Sequence, residues 1–198
     1  MPQDLSMFSL EGKTALVTGA NTGLGQGICT AYAAAGANVI GVARRSCQET
    51  AEKISAVGGC FTEIIADLSD MQAIPQIVEE AHRAHDRIDI LVNNAGIIKR
   101  CDAAKVTAED WDAVTDLNEK MVFFLSQAFA KNWIQDNKGG KIINIASMLS
   151  YQGGIRVPAY TASKSAVMGL TRALANEWAP HRINVNAIAP GYMATNNT

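Results

Sequence analysis

The sequence predicts an α/β protein built on a doubly wound parallel sheet, with helices on both faces. Short apolar, β-branched runs alternate with helical patterns along the whole chain. Most of these runs are apolar on both faces, as in strands that a parallel sheet buries. A glycine-rich turn joins the first run to the first helical pattern, and neither a repeat nor an obvious linker interrupts the order. Residues 1–198 are therefore predicted to form a single domain.

The individual elements are predicted from hydrophobic runs and from the residues that bound them. Strands are predicted at residues 14–18, 38–43, 61–66, 89–93, 141–146 and 183–188. Helices are predicted between them, at residues 23–35, 48–57, 70–85, 107–136 and 160–178. Gly36 follows the first helix, and glycine commonly ends a helix. Pro75 lies early in the third helix, where proline is tolerated.

Composition excludes several classes of function. Seventeen Lys and Arg residues stand against 19 Asp and Glu, for a net charge of −2, and the basic residues are scattered, so no nucleic-acid partner is expected. No apolar run is long enough to span a membrane, and the N-terminus does not resemble a signal peptide. The four cysteines form no CxxC pair and no metal-ligand cluster. A cytoplasmic protein without a metal site is predicted.

The glycine-rich turn after the first strand predicts a dinucleotide site of the Rossmann type. Residues 18–25 read TGANTGLG, which places Gly19, Gly23 and Gly25 between a strand and a helix. Glycines there allow a tight turn and bring backbone N–H groups close to a pyrophosphate. A glycine-rich turn alone is weak evidence, but its position after the first strand favours the functional interpretation. The cofactor loop is predicted to comprise Gly19, Asn21, Thr22, Gly23, Leu24 and Gly25.

The end of the second strand bears on the choice of nicotinamide cofactor. An acidic residue there binds the ribose 2′-hydroxyl of NAD and repels a 2′-phosphate. Residues 41–46 read GVARRS and contain no acid. Arg44 and Arg45 are suited to pair with a 2′-phosphate, although a solvated turn remains the alternative. NADP is favoured, and NAD stays possible.

Tyr160 and Lys164 form a candidate proton-transfer pair. A separation of four residues places both side chains on one helix face. A phenol has a pKa of about 10, and a neighbouring ammonium lowers it. A tyrosine and a lysine at this spacing are more often a core tyrosine and a solvated lysine than a catalytic pair. The remaining motifs have to decide between these two interpretations.

Other motifs follow in a fixed order. Ser147 precedes Tyr160 by 13 residues, residues 93–96 read NNAG, Asn118 lies in the long helical region, and Pro190-Gly191 follows the last strand. With the glycine loop, this set resembles the short-chain dehydrogenase/reductase family over essentially the whole chain. The resemblance implies a catalytic tetrad of Asn118, Ser147, Tyr160 and Lys164. It also implies cofactor contacts by Asp67, Leu68, Asn94, Ala95, Gly96, Tyr160, Lys164, Pro190 and Gly191.

The resemblance also implies a role for each member of the tetrad. Tyr160 exchanges a proton with the substrate oxygen, and Ser147 hydrogen-bonds that oxygen. Lys164 holds the nicotinamide ribose and lowers the pKa of Tyr160. Asn118 connects Lys164 to solvent through a water. Members of the family usually extend further, so a substrate lid and a last strand are expected to be absent here. The helices at 107–136 and 160–178 usually form the family's dimer interface, so a homodimer or homotetramer is expected.

Residues 145–158, 176–179 and 184–198 are similar to family members that act on sugar acids, of the 2-dehydro-3-deoxy-D-gluconate or 2-deoxy-D-gluconate type. The implied activity is hydride transfer between NAD(P) and a hydroxyl or keto group in uronate and pectin breakdown. Gluconate 5-dehydrogenase, 3-oxoacyl reductase and a non-catalytic dinucleotide-binding module are the alternatives. A sugar acid needs a cation, for which Arg156 and Arg100 are candidates, unless they are ordinary surface arginines. Ser147 and Gln152 complete the predicted substrate contacts.

Overall fold

In the computed structural model, which describes residues 6–194, a six-stranded sheet has all neighbouring strands parallel. The strands are β1 Thr14–Thr18, β2 Asn38–Ala43, β3 Phe61–Ile65, β4 Ile90–Asn93, β5 Gly140–Ile145 and β6 Ile183–Ile188. Their order is β3-β2-β1-β4-β5-β6, so the winding direction reverses between β1 and β4. The predicted fold class is confirmed. Residues 1–5 and 195–198, which carry part of the signal-peptide argument and of the resemblance, lie outside the described residues.

Helices cover both faces of the sheet. They are α1 Gly23–Ala34, α2 Gln48–Ala56, α3 Ala73–Ala84, α4 Ala108–Thr115, α5 Met121–Gln135, α6 Leu149–Gln152 and α7 Pro158–Trp178. Short 3₁₀ segments lie at Ser6–Phe8, Ala103–Lys105 and Ala179–His181. Within residues 6–194, none of the helices combines the length and the apolar character that crossing a membrane requires.

Side chains that alternate along each strand build two cores. Leu16 packs on one face with α3, α5 and α7, where Phe129 is fully buried. Its neighbour Val17 packs on the other face with α1 and α2, where Cys29 and Ile54 are fully buried. Because successive strand residues point to opposite faces, both faces need apolar residues. This explains why the strands lack polar alternation in the sequence.

The long helix predicted at 107–136 is interrupted. Between α4 and α5, residues Asp116–Lys120 form a π-helical turn, and it carries Asn118. Such turns often occur at functional sites. The helix predicted at 70–85 begins at Ala73, because Asp70 makes a turn whose carboxylate accepts a hydrogen bond from the Gln72 N–H at 2.8 Å. α6 was not predicted, since four residues are too few for a periodic pattern.

Gly25 allows α1 to pack against the turn that precedes it. A methyl group at this position would overlap the carbonyl oxygen of Gly19 and lie 2.6 Å from Nδ2 of Asn94. Gly27, on the same helix, is exposed and would have no atom within 4 Å of such a methyl group. Packing therefore requires glycine at position 25 but not at position 27.

Replacing Gly25 by alanine is expected to destabilise the protein by about 1–3 kcal/mol, because the backbone has to shift to admit the methyl group. Gly27→Ala is the matched control, and it should stabilise the fold by about 0.5–1 kcal/mol, since alanine favours the helix. Urea denaturation of both variants measures the difference. Equal effects from the two substitutions would contradict the close packing at Gly25.

Candidate active site

The site lies at the carboxyl edge of the sheet, where the winding direction reverses between β1 and β4. Thr18 joins the two strands there. Its hydroxyl donates to the carbonyl of Val92 at 3.3 Å and accepts from the N–H groups of Asn94 and Ala95, both at 3.0 Å. The Asn94 amide donates to the carbonyl of Thr18 at 2.9 Å. Thr18 was not predicted as a site residue, and its place at a strand end was the only signal.

The glycine loop presents the N-terminus of α1 to this edge. Gly19 and Gly23 have φ angles of +67° and +57°, which other residues rarely adopt. Thr22 is the N-cap residue, but its side chain makes no capping hydrogen bond, and the first turn contains no acidic residue. The first-turn N–H groups and the positive end of the helix are therefore suited to an anion such as a pyrophosphate.

Helix α2 supports the glycine loop from behind. The buried hydroxyl of Thr50 donates to the carbonyl of Ala20 at 2.8 Å and accepts from the Gln26 amide at 3.2 Å. Lys53 donates to the Gln26 side-chain oxygen at 2.5 Å. These bonds fix the backbone of the loop, and sequence reasoning missed them because Thr50 and Lys53 are distant in the chain from the loop's glycines.

Arg44 and Arg45 follow β2 and are exposed. The Glu63 carboxylate on β3 holds the turn that they begin, because it accepts from the Ser46 hydroxyl at 3.2 Å and from the N–H of Cys47. Glu63 was not predicted as a site residue. The arginine turn is therefore ordered by a carboxylate from the neighbouring strand.

Asp67 comes two residues after β3, close enough to Arg44 for the two charges to interact. Hydrogen bonds from the Ser69 N–H at 2.9 Å and hydroxyl at 2.8 Å hold the pKa of Asp67 below its usual value, and Arg44 adds to this. Asp67 is exposed, whereas Leu68 is buried beneath it. The predicted cofactor contact Asp67 therefore borders the arginine turn.

Tyr160 and Lys164 lie in the first two turns of α7, and Ser147 follows β5. The Lys164 Nζ is 5.8 Å from the centroid of the Tyr160 ring. Burial raises the pKa of the Tyr160 phenol above its usual value, and the nearby Ser147 side chain lowers it by less as a hydrogen-bond partner. The structure thus brings the three predicted groups together.

The expected lowering of the Tyr160 pKa by Lys164 is not seen in this arrangement. The Lys164 ammonium donates to the carbonyl of Ile145 at 2.5 Å instead of reaching the phenol. Burial of Lys164 lowers its own pKa to about 8, because a cation away from water is costly. Lys164 therefore loses its proton more readily than an exposed lysine. Its side-chain nitrogen faces the Ile145 carbonyl at the end of β5.

Asn118 is fully buried in the π-helical turn. Its side chain accepts from the N–H of Ile97 and donates to the carbonyl of Ile97, both at 2.8 Å. It also donates to the Ser163 hydroxyl at 3.2 Å, which donates to the carbonyl of Tyr160 at 2.9 Å. Asn118 thus connects the segment after β4 to the first turn of α7, and Ser163 is a further residue that sequence reasoning missed.

Gly96 brings the NNAG segment against the tetrad. A methyl group on it would lie 2.9 Å from the Asn118 side-chain oxygen and 3.7 Å from the Lys164 Nζ. Any side chain at this position would therefore crowd Asn118 and contact Lys164. The predicted cofactor segment and these two predicted catalytic residues are thus direct neighbours.

Pro190 and Gly191 lie beside Ser147. The carbonyl of Pro190 accepts from the N–H of Met148 at 3.1 Å, and a methyl group on Gly191 would lie 3.0 Å from the Met148 sulfur. The segment after β6 therefore flanks the strand end that carries the predicted catalytic serine.

The predicted substrate arginines lie on two adjoining loops. The carbonyl of Arg156 accepts from the N–H of Cys101 at 2.8 Å, which brings residues 100–102 beside it. Arg156 is exposed and forms an ion pair with Asp102 at 2.9 Å, which the sequence did not predict. Gln152 is exposed at the end of α6, and Arg100 is exposed too. The structure therefore brings the loops of Arg100 and Arg156 together.

Among residues 6–194, no group of three or more His, Cys, Asp or Glu side chains is arranged to hold a metal ion.

Comparisons with known proteins agree with this geometry. The sequence profile of the short chain dehydrogenase family matches residues 13–198. The 2-dehydro-3-deoxy-D-gluconate 5-dehydrogenases of Dickeya dadantii (strain 3937) and Escherichia coli (strain K12) are each 59% identical over 194 residues, which is 98% of this chain and 77% of each relative.

A solved structure from Agrobacterium tumefaciens, described as that of a candidate 2-deoxy-D-gluconate 3-dehydrogenase with bound NADP, is 54% identical. It superposes with a TM-score of 0.90 over 96% of this chain and 76% of that one. The profile match and these identities show that the chain belongs to the short-chain dehydrogenase/reductase family.

Proposed function

We propose that the protein is an NADP-dependent oxidoreductase that interconverts a hydroxyl and a keto group on a sugar acid of the 2-dehydro-3-deoxy-D-gluconate or 2-deoxy-D-gluconate type. The observation that carries the proposal is the placement of Ser147, Tyr160 and Lys164 next to one another, at the edge that also presents the glycine loop. The names of the similar proteins support the substrate class. Such an activity belongs to the breakdown of uronates and pectin.

Each member of the tetrad has a distinct role in this proposal. Nicotinamide, when bound, supplies or accepts the hydride. Tyr160 exchanges the proton of the substrate oxygen, and Ser147 hydrogen-bonds that oxygen as its charge develops. Lys164 turns from the Ile145 carbonyl to the ribose hydroxyls, where its charge supports the phenolate. Asn118 holds the Ile97 backbone in place through its two hydrogen bonds. It also connects Lys164 to solvent through a water.

The cofactor is held in this proposal by the edge residues and by the tetrad. The proposed contacts are Gly19, Asn21, Thr22, Gly23, Leu24, Gly25, Arg44, Arg45, Asp67, Leu68, Asn94, Ala95, Gly96, Tyr160, Lys164, Pro190 and Gly191. NADP is favoured over NAD because two exposed arginines follow β2 and residues 41–46 contain no acid. Glu63 holds the turn that the arginines begin.

The sugar-acid carboxylate is proposed to pair with Arg156 or Arg100, with Gln152 and Ser147 contacting hydroxyl groups. An exposed ion pair such as Arg156–Asp102 contributes little stability, so the arginine can exchange Asp102 for a substrate carboxylate at small cost. Gluconate 5-dehydrogenase and 3-oxoacyl reductase activities are the runners-up, and a non-catalytic binding module is the alternative of another class. The complete tetrad argues against the last.

A homodimer or homotetramer in the cytoplasm is proposed as the working form. Trp111 on α4 and Phe124 on α5 are 40% and 38% exposed, and a groove of 680 Å³ between α3 and α5 adjoins Phe124. Apolar exposure of this kind suits an interface with a second copy. The four cysteines are unpaired, which fits a reducing compartment.

The activity is tested with purified protein, NADP or NAD, and a panel of sugar acids, gluconate and a 3-oxoacyl thioester, followed by the absorbance of reduced nicotinamide. Sugar-acid turnover with NADP is expected. Tyr160→Phe should lower kcat by at least about 10²-fold, since the proton donor is lost, while NADP affinity changes little. Tyr32 lies on α1 and packs against the core that α1 and α2 cover, so Tyr32→Phe is the control and should keep full activity. Cofactor binding without turnover of any substrate would favour the binding module.

Arg44→Ala is expected to weaken NADP binding by about 10- to 100-fold and NAD binding by much less, because a charge-assisted bond to the 2′-phosphate contributes about 1.5–3 kcal/mol. Arg83→Ala removes an exposed arginine on α3 and serves as the control. Fluorescence titration of each variant with both cofactors measures the effect. Equal weakening for both cofactors would contradict recognition of the 2′-phosphate.

Arg156→Ala is expected to raise KM for the sugar acid about tenfold or more, while KM for the neutral polyol of the same carbon skeleton changes little. The physical reason is loss of the carboxylate's cation. Arg100→Ala, measured in parallel, decides which of the two arginines pairs with the substrate. If both variants affect acid and polyol alike, neither arginine recognises the carboxylate.

A further inference from the structure

The Ser150 hydroxyl links the two chain segments that carry the proposed catalytic groups. It accepts a hydrogen bond from the N–H of Ser147 at 3.3 Å and donates one to the carbonyl of Lys164 at 2.8 Å. Ser147 follows β5, and Lys164 belongs to α7. A single half-buried side chain therefore spans from the backbone of the proposed catalytic serine to that of the lysine.

The segment around Ser150 is shaped to make this link. The Ser147 hydroxyl accepts from the N–H of Leu149 at 3.1 Å, and the Ser150 N–H donates to the carbonyl of Ser147 at 3.0 Å. These bonds start the four-residue helix α6 two residues after Ser147. A second bond, from the Ser165 hydroxyl to the carbonyl of Ser150 at 3.3 Å, docks α6 on α7 without touching Ser147.

The link matters because Ser147 and Tyr160 have to approach the same substrate oxygen. The Ser147 side chain is close enough to the Tyr160 phenol to lower its pKa, and a substrate oxygen has to enter beside both groups. The two bonds of Ser150 involve backbone atoms that do not contact substrate, so they persist while the reactive side chains turn. Reactive geometry is sensitive to small displacements, and a shift of about 1 Å can cost 10²-fold in rate.

We propose that Ser150 is a positioning residue, whose hydroxyl holds the backbone of Ser147 in register with the Tyr160–Lys164 helix. The inference rests on the proposed function and adds to it a residue outside the tetrad. Ser150 acts through Ser147 and does not touch the substrate oxygen, so it should affect kcat and leave cofactor binding alone.

The test compares Ser150→Ala, Ser150→Thr and Ser165→Ala in steady-state kinetics with NADP and the preferred sugar acid. Ser150→Ala removes both bonds and is expected to lower kcat about tenfold or more, with KM for NADP within about twofold. Ser150→Thr keeps a hydroxyl and should restore most of the activity. Ser165→Ala loses a bond between the same two helices, but it should keep kcat within about twofold of the unaltered protein.

The pH profile of kcat separates positioning from general loosening. The nearby Ser147 side chain lowers the pKa of Tyr160 as a hydrogen-bond partner, so misplacing Ser147 should move the profile of Ser150→Ala to higher pH. Ser165→Ala should keep the profile of the unaltered protein. Melting temperatures and NADP titrations show that each variant is folded.

Equal losses in Ser150→Ala and Ser165→Ala, or an unchanged kcat and pH profile in Ser150→Ala, would overturn the positioning role. If the unaltered protein turns over substrate and Ser150→Ala does so equally well, the role of Ser150 is refuted while the proposed function stands. Absence of turnover in the unaltered protein refutes the proposed function, and the role of Ser150 with it.

Discussion

The pairing of β1 with β4 is the constraint on which the rest of the structure depends. These strands run parallel in the register Leu16↔Leu91, so their carboxyl ends reach the same height at the point where the winding reverses. Thr18 then closes the junction with three hydrogen bonds. Because the glycine loop leaves β1 and the NNAG segment leaves β4, this one junction places the anion-binding helix end beside the tetrad.

A buried polar chain extends the same constraint to α7. The Asn93 amide donates to the Ser126 hydroxyl at 2.9 Å and to the Asn144 oxygen at 2.8 Å, and the Asn144 amide donates to the Thr171 hydroxyl at 3.0 Å. These groups lie on α5, β4, β5 and α7. Buried polar groups favour one arrangement strongly, since each misplaced partner leaves an unsatisfied group. The helix that carries Tyr160 is thereby fixed relative to the strand that carries Ser147.

Electrostatics at the tetrad follow from burial more than from proximity. Lys164 is almost fully buried and donates to a strand-end carbonyl, so burial lowers its pKa to about 8. Tyr160 is partly buried, and the same effect raises its pKa above the usual value. The spacing of Tyr160 and Lys164 in the sequence predicts an ammonium acting on a phenol, but spacing does not indicate how far either group is excluded from solvent. Cofactor hydroxyl groups that draw Lys164 away from Ile145 would change this balance.

The sequence by itself determined the alternation of strands and helices, the glycine loop and the order of Asn118, Ser147, Tyr160 and Lys164, because these depend on local periodicity and spacing. Only the tertiary structure decided which side chains support them. Thr18, Thr50, Glu63 and Ser150 act through partners up to 77 residues away in the chain, and an isolated serine or threonine carries no local signal of such a partner. The π-helical turn at Asn118 and the Arg156–Asp102 ion pair are likewise set by packing between distant segments.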